Sequence, residues 1–170
     1  MATPEPCRDD IFQPGGQIHQ RYLSEDTAQV LRESLRLARE TRWDSLRSPH
    51  IFMGLLAVPN PGIRTWGDRL GADLTKLLSN FQELFHQDEG DSEALLMLNR
   101  EFLSDNVIRL LRDAHTRALN HNRSAITPMD LLISLLTASN SIVAECFERI
   151  GVTAAKLTEF AVLAEQQENQ

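Results

Sequence analysis

Gly62-Ile63-Arg64-Thr65-Trp66-Gly67 carries the glycine spacing of a phosphate-binding loop. That chemistry needs a lysine on the outer phosphates and a Ser or Thr hydroxyl on magnesium, and Asp68-Arg69 stand in their places. Asp68 would repel a phosphate and no apolar strand precedes the segment, so the glycines read as a coincidence within a helix. His19, His50, His86, His115 and His121 form no i, i+4 pair and accompany no Cys-x-x-Cys, so no metal site is expected. His50 reads as serving a local polar contact. No Gly-x-Ser-x-Gly elbow frames a nucleophile. Asp88, Glu89, Asp91 and Glu93 are closely spaced carboxylates in a polar junction, whereas catalytic carboxylates need rigid placement. No catalytic residue and no cofactor are expected, and the chain reads as non-enzymatic.

The charge excludes further classes. A formal charge of −7 and a pI near 5.2 repel nucleic acid and anionic membranes at long range. No apolar run approaches the roughly 20 residues of a membrane span, and Met1 to Asp10 lack the apolar core of a signal peptide. A cytoplasmic location is therefore expected. Lys76 and Lys156 are the only lysines, and arginines pair bidentately with carboxylates and phosphates. Arg32, Arg36 and Arg39 recur at helical spacing beside Glu33 and Glu40, which reads better as a solvated helix face than as a phosphate reader. Cys7 reads as a free thiol in a Pro-containing tail, and Cys146 as a small core residue.

What must position any site is a duplicated scaffold. Leu23-Ser24 recurs as Leu103-Ser104, and 103 − 23 = 80. At the same offset, without a gap, Leu31-Arg32 matches Leu111-Arg112, Leu55-Leu56 matches Leu135-Leu136, and Asn60 matches Asn140. Arg69, Gly71 and Lys76-Leu77 match Arg149, Gly151 and Lys156-Leu157. Matches held at helix starts, core positions and one glycine indicate internal duplication.

Each copy reads as four helices. Ser24 caps the first, with Glu25 and Asp26 opposing the positive helix end and Ala28, Leu31, Leu35 and Ala38 on its apolar face. It should end near Thr41 to Asp44. Ser48-Pro49 reads as N-cap and first position of the second. Asn60-Pro61 starts the third, which stops at Gly71, and Asp73 caps the fourth. The second copy repeats this over Ser104 to His121, Thr127-Pro128 to Ala138, Ser141 to Ile150, and Thr153 to about Gln166. The fold class is all-α: a pseudo-twofold duplication of a four-helix repeat, about eight helices in all. Residues 1–21 form an N-terminal arm in which Pro14-Gly15-Gly16 turns a small hairpin or sits in an irregular packed segment. Repeat one spans 22–85, the linker 86–101 and repeat two 102–166, giving a double domain over 22–166 and a tail at 167–170. Ala94 to Leu98 is too apolar for a solvated linker and should pack or form a partner site. Trp66-Gly67 stand where the second copy has Cys146-Phe147, so Trp66 is expected to fill the volume that Gly67 leaves. Trp43 either caps the core edge or offers an exposed anchor.

These features resemble the double repeat of the Clp N-terminal domain. Each unit has a Leu-Ser helix start, an Ile/Leu-to-Leu-Leu second helix and a Leu/Ile-Gly before the fourth. Leu46-Arg-Ser-Pro-His50-Ile-Phe-Met-Gly54-Leu-Leu is similar to the family's signature, where Thr-Glu-His precedes an apolar run. The resemblance covers roughly Tyr22 to Gln166. It implies a protein-recognition module that binds substrates or adaptors for a Clp-type AAA+ unfoldase or its protease, a chaperone and proteolysis context. No Walker motif is present, so the chain is a stand-alone or an excised domain. Some members read phosphorylated arginine with a glutamate before the signature histidine of each repeat. Those positions are Pro49 and Met129 here, and the second histidine is Asp130, so no phosphoarginine site of that type is expected. Trp43, Pro49, Met129, Leu95 and Met97 are the residues expected to contact a protein partner. A monomer is expected. The alternatives are a regulatory domain of another AAA+ system, such as a secretion ATPase, and a small helical ligand-binding protein.

Overall fold

Side-chain caps set most of the helix starts. The computed structural model describes residues 11–90, 96–139 and 141–168. Its eight helices are α1 (Glu25–Glu40), α2 (Ser48–Ala57), α3 (Pro61–Leu70), α4 (Leu74–Leu84), α5 (Asp105–Asn120), α6 (Pro128–Thr137), α7 (Ile142–Glu148) and α8 (Ala154–Glu168). Ser24 and Ser104 accept the amide protons of Thr27 and Val107, and Asn60 accepts that of Ile63. Asp73 accepts from Thr75 and Lys76. Gly71 and Gly151 adopt φ of 69° and 91°, where a side chain would be strained. Arg36 pairs with Glu33 and Glu40 on the exposed face of α1, as the helical spacing predicts. Gly62 and Gly67 both lie inside α3.

Several boundaries differ from the sequence reading: α1 ends at Glu40, ahead of Thr41 to Asp44, and α7 at Glu148, ahead of Ile150. The N-cap of α2 is Arg47, with Ser48 already helical, which matches the cap at Thr127 under the 80-residue offset. The out-of-register Ser48-Pro49 reading followed residue preference where the repeat register decides. α8 continues through Glu168, beyond the boundary at Gln166.

The repeats are joined by an exchange of backbone hydrogen bonds as well as by helix packing, α3 against α8 foremost. The Ser24 amide donates to the Ile126 carbonyl (3.1 Å) and the Ile126 amide to the Tyr22 carbonyl (2.7 Å). With the repeats interchanged, the Ser104 amide donates to Leu46 (3.0 Å) and the Leu46 amide to Phe102 (2.8 Å). Each repeat thus secures the backbone entering its own first helix on the partner repeat's segment ahead of the second helix. These contacts form two isolated parallel bridges, Leu23 to Ile126 and Leu46 to Leu103. The apolar helices α2 and α6 run through the centre, with nearly every side chain buried. Gly54 of α2 brings it so close to α1 that a Cβ would lie 2.2 Å from Ser34 Oγ. At the equivalent positions of repeat two stand Ser134 and Ala114, so the glycine and serine of one pair are replaced by a serine and an alanine.

An aromatic cluster closes the centre across the repeats. Phe52, Trp66 and Phe81 of the first repeat gather around Phe147 of the second, with ring centroids 4.9–6.2 Å apart. Trp66 is fully buried and its indole N–H donates to the Leu157 carbonyl (3.1 Å). Leu74 packs against Gly67, where a Cβ would meet its side chain at 2.7 Å. Cys146 is partly buried against the core, and burial pushes its thiol pKa up. Cys7 lies outside the described residues.

The described part of the arm, residues 11–21, is both a hairpin and packed. Phe12 and Ile18 bridge antiparallel around Pro14-Gly15-Gly16, with Gly16 at φ 92°. Ile11, Phe12 and Ile18 are buried in the common core. Of the apolar junction, Leu96 is buried and Leu98 packs against the core, while Met97 is 47% exposed.

Candidate functional site

Four positions at the end of the first helix, the start of the second and the end of the fourth have changed character completely between the repeats. In repeat one they are Leu37, Trp43, His50 and Phe85. Adding 80 gives Arg117, Arg123, Asp130 and Glu165. An apolar and aromatic corner in one repeat is a charged corner in the other.

The charged corner is internally neutral. Asp130, fully buried in α6, accepts from Arg117 (2.7 Å) and from both terminal nitrogens of Arg123. Arg117 also clasps Glu165 with two bonds of 2.7 Å. Asp130 further accepts the Thr127 amide (2.9 Å), closing a capping box. Burial pushes the Asp130 carboxyl up, but the hydrogen bonds from Arg123, the Thr127 backbone and Arg117 outweigh it and hold the group below the usual carboxylate range.

In the aromatic corner His50 does the capping work of Asp130 without a charge. Its Nδ1 accepts the Arg47 amide (3.0 Å), and its Nε2 lies 3.3 Å from Thr41 Oγ1. With Nδ1 accepting, Nε2 carries the proton and donates to Thr41. Burial, then the Arg47 charge, lowers the imidazole from 6.5 to about 4. Folded His50 therefore binds fewer protons than unfolded His50 between those values. Its contribution is complete above pH 6.5 and is lost as the pH falls to 4, on the order of 3 kcal/mol. Urea unfolding at pH 7 and pH 4.5 should show that slope in the native chain and a flatter one in His50→Asn. Equal slopes would remove His50 as its source.

Beside the aromatic corner the surface opens into a groove of about 520 Å³ between the repeats. Trp43 stands at its edge, half-buried, with its indole N–H on the Phe85 carbonyl (2.5 Å) and its ring edge-on to His50. The Arg47 guanidinium lies over the outer indole face, 5.1 Å from its centroid. Pro49, Phe85, Leu110 and Ile142 add apolar lining, and Arg47, Arg109, Asp113 and Glu145 set a rim of both signs. Ile142 is 43% exposed. Apolar anchors inside a mixed polar rim are the usual make-up of a protein-contact surface. Among the described residues no group of three or more His, Cys, Asp or Glu is placed to hold a metal.

Of the five residues expected from sequence, Trp43 and Pro49 meet at this groove. Met129 does not. It is fully buried, its sulfur lying beside Gly62, because the second corner is closed over. Met97 is exposed but does not line the groove, and Leu95 lies outside the described residues. Phe85, Ile142, Arg47 and Arg109 were not singled out from sequence. The offset pairs Phe85/Glu165 and Trp43/Arg123 carried a signal for the first of them.

Among the described residues, eight α-helices in two repeats with an open groove between them define the class: an all-helical double-repeat domain. Comparison with known proteins gives the likeness. Residues 102–169 match the family model described as the Clp repeat (R) N-terminal domain. The N-terminal domain of the caseinolytic protease associated chaperone ClpD from Arabidopsis thaliana superposes with TM-score 0.67 at 18% identity, covering 89% of this chain and 99% of that one. The Hsp104 N-terminal domain from Candida albicans gives 0.66 at 12% identity over 82% and 89% of the two chains. The N-domain of ClpV from Vibrio cholerae gives 0.60 at 16% over 85% and 86%. No curated protein matches the sequence significantly. The chain has the fold of the Clp N-terminal domains, and residues 102–169 are the part that the family model matches.

Proposed function

We propose that this chain is a non-catalytic recognition module that binds a segment of a substrate or adaptor protein in the open groove, in the cytoplasm, on behalf of a Clp-type AAA+ unfoldase or its protease. The observation that carries this reading is the asymmetry of the two corners. The charged one is satisfied internally, whereas the aromatic one leaves Trp43, Phe85 and Ile142 facing a space large enough for a peptide segment. The double domain then comprises residues 22–166, with residues 86–101 linking its halves.

Ile142→Arg tests this directly, because the residue is exposed on a short helix and its replacement leaves the core intact. Native chain should retain an unfoldase, protease, adaptor or substrate from its own cell extract, and the variant at least ten-fold less, as loss of one anchor worth more than about 1.4 kcal/mol requires. Equal recovery on both would sink the groove assignment. A second reading, as the regulatory domain of a secretion ATPase, draws on the likeness in fold to the ClpV N-domain. It uses the same groove and differs in which ATPase is recovered.

A further inference from the structure

The closed corner is a groove with an occupant. α4 ends at Leu84, and 84 + 80 = 164, so Glu165 to Glu168 form a turn of α8 that α4 lacks. In repeat one the chain turns away after Phe85, the Gln87 amide bonding to the Thr41 carbonyl (2.9 Å) and Arg42 reaching the Asp88 carbonyl (2.9 Å). In repeat two the extra turn lies over the start of α3. Glu168 accepts from the Gly62 amide (3.2 Å) and from Asn60 Nδ2 (3.1 Å), and Gln167 accepts from Arg69 (2.8 Å).

The residues around this turn are the equivalents of those lining the open groove. Gly62 corresponds to Ile142, Met129 to Pro49, Arg123 to Trp43 and Asp26 to Asn106; burial and the like charges of Glu165 and Asp26 push the Glu168 carboxyl up, so Glu165 is the carboxylate that the arginines favour. Gly62 also shows why the turn fits. A Cβ there would lie 2.8 Å from Met129 Sδ and 3.1 Å from Glu168 Oε1, so the bare backbone is what admits the carboxylate. Where the open groove has an aromatic wall, this one has Arg117 and Arg123, with Asp130 balancing only one of the two charges once Glu165 is taken away. The wall is therefore complementary to one more carboxylate.

We propose that this second groove is a binding site for a carboxylate-bearing helical turn, held in cis by the last turn of α8, and that displacing this turn hands the site to an acidic helical segment of another chain. Three of its four residues, Gln166, Gln167 and Glu168, are exposed at a helix end, where local opening begins, and release must also break the buried Glu165–Arg117 pair. This inference rests on the geometry of the second groove and not on the partner assigned to the first.

The test uses the full chain carrying Glu165→Gln and Glu168→Gln, which weakens the cis contacts and keeps the side-chain volumes. The probe is a fluorescein-labelled synthetic peptide of residues 161–168, followed by anisotropy. The variant should bind it at least ten-fold more tightly than the native chain, and a peptide with glutamine at both glutamate positions should lose that gain. Equal affinity for native and variant chains, or equal binding of the glutamine peptide, overturns the proposal. A measurement that needs no helix guards against a poorly folded variant. In full-length Glu165→Ala, 0.1 M sodium acetate should raise the melting temperature more than sodium chloride at equal ionic strength, with no such difference in the native chain. Superimposable salt curves would also overturn it. Ile142→Arg should leave the peptide's affinity unchanged, so failure here and failure of the open groove are told apart.

Discussion

Asp130→Ala should destabilise the domain by about 3–5 kcal/mol, the cost of breaking a buried ion pair by removing one partner. A domain of this kind has roughly 5–15 kcal/mol in total, so the unfolding midpoint in urea at pH 7 should fall severely. The physical reason is the imbalance left behind. Arg117 and Arg123 would face Glu165 alone, and the Thr127 amide would lose its capping acceptor. Asp130→His, which copies the first repeat, should be no better, because a neutral imidazole cannot balance two guanidinium groups. Exchanging the whole corner for the first repeat's set, with Arg117→Leu, Arg123→Trp, Asp130→His and Glu165→Phe, should recover most of the loss, since well-packed apolar groups commonly replace a buried ion network without penalty. A midpoint for Asp130→Ala within experimental error of the native value would show that the corner is solvated and not a closed network.

Trp66→Ala should cost a similar amount, about 3–5 kcal/mol, by the cavity it leaves. Trp66 is the largest fully buried side chain and touches Phe52 and Phe147, so its removal opens the seam between the repeats and not the edge of one of them. Trp66→Phe separates the two contributions. It retains most of the ring contact but strips the Leu157 carbonyl of its donor, a loss of about 1–3 kcal/mol. Chemical denaturation gives both values. A Trp66→Ala cost below about 1 kcal/mol would mean that the surrounding rings collapse into the space.

The scaffold was largely legible from the sequence because helix starts and stops are local chemistry. Ser24, Asn60, Asp73 and Ser104 cap the helices they precede, and Gly71 and Gly151 end theirs, with no help from distant residues. The one cap misread, Ser48 for Arg47, had no competent side-chain acceptor at the true position, since His50 supplies it from three residues ahead. The groove was less legible, because it depends on what is missing from α4 and on how the chain leaves Phe85. Trp43 and Pro49 announced themselves by type and position. Met129 sits at the matching position and was expected to do the same, but the extra turn of α8 covers that corner. Asp130 was read as a lost recognition histidine and proves to be the centre of a neutral network. The sign lay in the offset pairs, where three apolar residues and a histidine become charged together, a pattern visible only if all four are compared at once.

The reciprocal bridges have a consequence for the origin of the fold. The pairing of Leu23 with Ile126 and of Leu46 with Leu103 is self-complementary in the sense that each half offers the other the same two edges. A polypeptide of one repeat's length would expose both edges and satisfy them by pairing with a second molecule of itself. The present chain therefore has the geometry of a symmetric homodimer whose protomers have been fused head to tail. Because each half is encoded separately, the two corners need not match: one is covered by α8 over an ionic network while the other is open.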